Sequence, residues 1–91
     1  MTIELQPVFV EAMPDEIEEG KLYISEKYKC VIHLCACGCR RKSVTPIGYK
    51  GWTMTKNMNK ITLRPSIGNF TGDKPSYHAH YFITDNKVQW L

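Results

Sequence analysis

The sequence predicts a mainly β fold, a small single-domain antiparallel sheet, and three observations lead there. Short runs rich in β-branched and aromatic residues recur at intervals of about 8 to 12 residues. No long stretch spaces its apolar residues at the period of an amphipathic helix. Sequences suited to turns, Gly48-Tyr49-Lys50-Gly51 and Lys56-Asn57-Met58-Asn59, separate the central runs. With 91 residues, 43% of them hydrophobic and 23% charged, the chain is expected to form one globular domain spanning 1–91. A domain of this size buries about 60 to 65% of the surface its unfolded chain exposes, so an added staple would strengthen it.

Residues 1–12 read as an edge strand. Ile3, Leu5, Val8 and Val10 favour extended chain, and Pro7, which has no N–H to give a ladder, belongs at an edge. Met13 to Gly20 predicts one short helical turn: Pro14 suits a first helical position, Asp15 and Glu16 suit the positive helix end, and Gly20 suits a stop. Lys21–Ser25 alternates around Leu22 and Ile24, and Cys30–Leu34 is a β-rich run. Ser43–Ile47, Gly51–Thr55 and Lys60–Leu63 continue the pattern. The best local signal is C-terminal. Tyr77–Thr84 is aromatic and β-rich, Asp85-Asn86 suits a two-residue turn at positive φ, and Lys87–Leu91 alternates again, which predicts a hairpin.

The formal charge of +3 hides an asymmetry. Residues 1–26 hold seven of the nine acids, opposed only by Lys21, while the rest of the chain is strongly basic. The expected meaning is internal: an acidic segment folded across a basic face. No apolar run approaches the roughly 20 residues of a membrane span, and the N-terminus lacks the basic and apolar regions of a signal peptide, so a cytoplasmic location with no membrane partner is expected.

All four cysteines lie in Cys30-Val31-Ile32-His33-Leu34-Cys35-Ala36-Cys37-Gly38-Cys39. Disulfides between such near neighbours are strained, and a reducing compartment disfavours them. Zinc suits the spacing, because thiolates about 2.3 Å from one tetrahedral ion must sit close together. A straight strand would hold alternate side chains about 6.6 Å apart, so the chain must bend, and Gly38 permits a knuckle. The expected ligands of a structural Zn2+ are Cys35, Cys37, Cys39 and, from a distant strand, His80. His78 shares strand parity with His80, and Cys30 with His33 forms a Cys-x-x-His pair, so His33, His78 or Cys30 could replace one ligand. The expected fold is therefore zinc-stapled.

The residues from 13 to 91 are similar to a family of small uncharacterised bacterial and phage proteins. The resemblance rests on His33-Leu34-Cys35-Ala36-Cys37-Gly38-Cys39, Thr45-Pro46, Gly51-Trp52, the run Ile61-Thr62-Leu63-Arg64-Pro65-Ser66-Ile67-Gly68-Asn69, and His80-Tyr81-Phe82-Ile83 followed by Val88 and Trp90. It implies zinc held by the knuckle and a distal Cys-x-x-His. It also implies genes often neighbouring adenylating enzymes of the ubiquitin-activating superfamily, and so an accessory role in a bacterial ubiquitin-like conjugation or defence pathway. Two positions depart from the family pattern: Tyr77 stands where a cysteine is usual, and Arg40 where glycine is common.

No Ser/His/Asp order, nucleophile elbow, P-loop or H-E-x-x-H helix is recognisable, so no catalytic residue is assigned. The first expectation is a structural-zinc binding or adaptor module with a protein partner, for which Tyr49, Trp52, Phe70 and Tyr77 are candidate contacts; Trp52 and Trp90 also suit the core. The alternative is nucleic-acid binding through Arg40, Arg41, Lys42, Lys50, Lys56, Lys60 and Arg64. A third reading is a zinc- or thiol-dependent enzyme using Cys37 or His78.

Overall fold

The computed structural model describes residues 3–38, 40–70 and 77–91, with only the backbone of Asn69, Phe70, Tyr77 and His78. Eight strands form two four-stranded sheets. The first contains, in order, β1 (Gln6–Phe9), β2 (Lys21–Ser25), β3 (Cys30–Leu34) and β4 (Lys42–Pro46). The second contains β5 (Thr53–Asn57), β6 (Lys60–Phe70), β7 (Tyr77–Thr84) and β8 (Lys87–Trp90). All neighbours are antiparallel except β1 and β2, which run parallel.

Strand alternation builds one core between the sheets. Leu22, Ile24 and Val31 of the first sheet join Ile61, Leu63, Ile67, Ala79, Tyr81, Ile83 and Val88 of the second in a single buried cluster. Each large aliphatic side chain so buried contributes about 1.5–3 kcal/mol, which is how so short a chain sustains two layers. The N-terminal segment clasps both sheets. The Leu5 N–H donates to the Asn86 carbonyl at 2.7 Å and the Ile3 carbonyl accepts from Val88 N–H at 2.9 Å. One residue later Gln6 N–H donates to the Gly20 carbonyl, and β1 enters the first sheet at its edge, as Pro7 requires.

Two expectations need correction. Among the described residues there is no helix, so the helical turn over Met13–Gly20 does not form. The segment instead crosses the outer side of β2, where Tyr23 Oη accepts from Glu18 N–H at 3.3 Å and the Glu11 carbonyl accepts from Ser25 Oγ at 2.9 Å. A single helical turn would fix several dihedrals for one internal hydrogen bond, and tertiary partners win. The second correction is β6, which does not stop at Leu63 but runs on to Phe70. Its partners step from Leu63↔Ile83 to Ile67↔Tyr81, so Arg64, Pro65 and Ser66 lie opposite Phe82 alone and form a bulge of three residues against one. Pro65 fits there because no ladder donor is needed.

The C-terminal hairpin forms as expected, with Asp85 at φ +49° and Asn86 at φ +71°. Asn86 is buried and closes the turn onto β6: its Oδ1 accepts from Ile61 N–H at 2.7 Å and its Nδ2 donates to the Asn59 carbonyl at 2.9 Å.

A buried polar contact spans the core. His33 of β3 is fully buried, and its Nε2 is hydrogen-bonded to Tyr81 Oη of β7 at 2.7 Å. The same hydroxyl accepts from Ala36 N–H at 3.4 Å, while His33 Nδ1 has no hydrogen-bond partner among the described residues. Burial strips water from the imidazolium and pushes the His33 pKa down to about 4 from the usual 6.5.

Tyr81→Phe would leave both ring nitrogens of His33 without partners and should cost about 1–3 kcal/mol in urea unfolding. The unfolded chain binds a proton at His33 near pH 6.5, the folded chain only near 4. This contribution to stability is therefore present above pH 6.5 and falls by up to about 3 kcal/mol as the pH drops to 4. Imidazole proton shifts should show a neutral His33 at pH 5, and urea midpoints should fall across that window.

Candidate functional site

The bulge in β6 and the alternation of β7 together assemble a serine–histidine pair. On β7, Ala79, Tyr81 and Ile83 are buried in the core, so His80, Phe82 and Thr84 face outward. On β6, Gly68 stands directly across from His80, and the bulge sets Ser66 beside it. Ser66 Oγ and His80 Nε2 are 2.7 Å apart and both residues are half-buried. That is hydrogen-bonding distance between a hydroxyl and an imidazole nitrogen.

The same outer face holds a fixed cation. The Arg64 guanidinium lies 4.5 Å from the centre of the Phe82 ring. Its Nη1 donates to the Leu63 carbonyl at 2.8 Å and its Nη2 to Thr84 Oγ1 at 2.9 Å, and that hydroxyl donates on to Gln89 Oε1 at 2.6 Å. These contacts hold Arg64 flat against the sheet beside the bulge.

The residues expected to bind zinc are only partly brought together. The sulfurs of Cys35 and Cys37 are 3.3 Å apart, on a turn where Gly38 at φ +92° donates its N–H to the Cys35 carbonyl at 3.1 Å. Cys39 lies outside the described residues, as do the side chains of His78, Tyr77 and Phe70. His80 turns its Nε2 to Ser66, and no group of three or more His, Cys, Asp or Glu placed to hold a metal occurs among the described residues. His33 is engaged by Tyr81, and Cys30 sits at the far end of β3, paired in register with Ser25 and Pro46.

The charge asymmetry is satisfied internally in part. Glu11, Glu18, Glu19 and Glu26 pair with Lys27, Lys21, Arg40 and Lys56 respectively. Lys21 holds the Glu18 carboxyl below its ordinary range. The acidic segment and Arg40 with Lys42 face each other across a cleft of about 600 Å³. These pairs are solvent-exposed, so each is worth about 0–1 kcal/mol, and one of them, Glu19 with Arg40, sets an acid against the dense basic run. Tyr49 and Trp90 are exposed, whereas Trp52 packs against the core.

Ser66 escaped the sequence reading. A serine after Arg-Pro, past the apparent end of a strand, matches no nucleophile motif, and only the β6–β7 register brings it to a histidine fourteen residues later. The available signal was the family resemblance, whose matching segments contain both residues.

The fold and site thus define a small β-sandwich bearing a serine–histidine pair on the outer face of its second sheet. Residues 9–91 match the model of the family described as bacterial ubiquitination-like system serine protease (BubE), and the chain belongs to that family. It is accordingly an accessory component of a bacterial ubiquitination-like system, with proteins as partners. No curated protein and no solved structure gives a match. No helix among the described residues is long and apolar enough to cross a membrane.

Proposed function

We propose that the protein is a serine hydrolase that cleaves a peptide or ester bond in a protein of the ubiquitination-like system, with Ser66 as nucleophile and His80 as general base. The 2.7 Å contact between Ser66 Oγ and His80 Nε2 carries this reading, and the family description supports it. Ser66 Oγ attacks the substrate carbonyl carbon while His80 Nε2 takes the hydroxyl proton. The tetrahedral adduct collapses, the carbon–nitrogen or carbon–oxygen bond breaks, and the imidazolium returns that proton to the leaving group. Water then attacks the acyl-Ser66 ester, giving a proton to His80; the acyl carbon–Oγ bond breaks, His80 returns that proton to Ser66 Oγ, and the product acid departs. Seating the serine on a bulge lifts its hydroxyl off the ladder toward the substrate side, a common use of bulges next to reactive residues.

Zinc is a second element of the proposal. The Cys35–Cys37 pair supports it, because a tetrahedral ion with bonds of about 2.3 Å separates its sulfurs by about 3.8 Å, so the observed pair need open by only about half an ångström. Cys39 would supply a third thiolate. When bound, zinc would cross-link the knuckle structurally, and the hydrolytic steps run through Ser66 and His80 alone.

Ser66→Ala should abolish labelling by a fluorophosphonate probe and lower hydrolysis of p-nitrophenyl acetate by about 1,000-fold or more with little change in melting temperature. His80→Gln should slow both by about 100-fold or more. Full labelling of Ser66→Ala would sink the assignment. In native mass spectra the wild type should carry one zinc that Cys35→Ser loses and His80→Gln keeps; loss of zinc from His80→Gln would make His80 a ligand rather than a base.

A further inference from the structure

β6 carries more than its neighbours cover. It runs eleven residues, whereas β5 has five and stops where Thr53 faces Arg64. The chain before Thr53 turns away from β6: Trp52 N–H donates to the Pro46 carbonyl at 2.8 Å, and the Trp52 carbonyl accepts from Gly48 N–H at 3.0 Å. Beyond Arg64, therefore, β6 pairs with β7 on one side and with no described strand on the other.

The hydrogen-bond phase shows what this open side offers. Leu91 N–H donates to the His80 carbonyl at 3.0 Å, so the main-chain groups of His80 point toward β8. In an antiparallel ladder hydrogen-bonded and non-bonded pairs alternate, so Gly68↔His80 is a close, non-bonded pair on the β6 side. The N–H and carbonyl of Gly68 consequently point away from β7, into the open side, and no hydrogen bond between them and another described residue occurs. Gly68 is two residues from Ser66, the proposed nucleophile, and directly across from His80.

We propose that this half-open edge, centred on Gly68, is the substrate-recognition strand, and that it takes an extended peptide segment by strand addition. The proposal rests on the serine–histidine reading and names its substrate class: a flexible, extended protein tail rather than a folded surface or a small ester. One donor and one acceptor facing the same way on a strand complement the main chain of any extended peptide. A peptide paired with Gly68 runs alongside Ser66, so its carbonyls pass the hydroxyl in register. Affinity through the main chain makes recognition depend on extended shape and only weakly on side-chain identity.

The test uses the full-length Ser66→Ala chain, the capped peptide acetyl-Val-Thr-Val-Ala-amide at millimolar concentration, and amide exchange read by NMR. Exchange at Gly68 N–H should slow by about ten-fold or more, while Ile67 N–H, already in the β6–β7 ladder, changes by less than about two-fold. N-methylation of the peptide should abolish protection at alternate amides and be tolerated at those between, the period of a strand. Unchanged exchange at Gly68, or equal tolerance of N-methylation at every amide, overturns the proposal. The p-nitrophenyl ester of the same peptide separates the two readings. Turnover that survives Ser66→Ala alongside a protected Gly68 removes the serine assignment and leaves the edge standing. Ser66-dependent turnover with an unprotected Gly68 removes the edge alone.

Discussion

The contact between His33 and Tyr81 governs how the second sheet is set. It is a buried polar bond that spans the two layers, and it fixes the rotation of β7 about its own axis. Once Tyr81 points into the core toward His33, strand alternation leaves His80 no choice but the outer face. The same hydroxyl meets Ala36 at the start of the knuckle turn, so the cysteine turn and the histidine strand are positioned from one atom. A buried imidazole kept neutral makes this affordable, since an imidazolium there would carry an uncompensated charge in a dry core.

Around that contact the molecule builds its reactive group from an irregularity. A regular β6 would have placed Ser66 in the ladder, with its neighbours paired residue for residue to β7. The bulge over Arg64, Pro65 and Ser66 releases the serine from that constraint, and Arg64, held by Phe82, Thr84 and two carbonyls, caps the bulge from outside. The early end of β5 leaves the following half of β6 with one side paired to no described strand. Bulge and unpaired edge lie on consecutive residues, which couples the proposed nucleophile to the proposed place of peptide pairing.

Much of the architecture was legible beforehand. Alternation marked β2 and β3, and Asp85-Asn86 marked the turn, because these signals are local and the structure agrees with them. Pro7 marked an edge for the same reason: a missing N–H restricts position whatever the surroundings. The helical turn failed because its capping residues favour a helix weakly, while Tyr23 and Ser25 offered the segment partners that only the folded sheet provides. β6 was read short because Arg-Pro looks like an end, and a bulge that absorbs a proline leaves no simple periodic trace.

The amino-acid sequence by itself determined the β class, the single domain, the C-terminal hairpin and the crowding of thiols around Gly38, since each follows from side-chain size, branching, spacing or a backbone preference carried by the residues themselves. It also determined that the acids gather at one end of the chain. Tertiary structure alone decided which serine meets which histidine, that His33 lies buried against Tyr81, and which half of β6 pairs with described strands on one side only. Those outcomes depend on register between strands distant in the chain. Register comes from the summed burial of both sheets, a quantity that no local window of sequence contains.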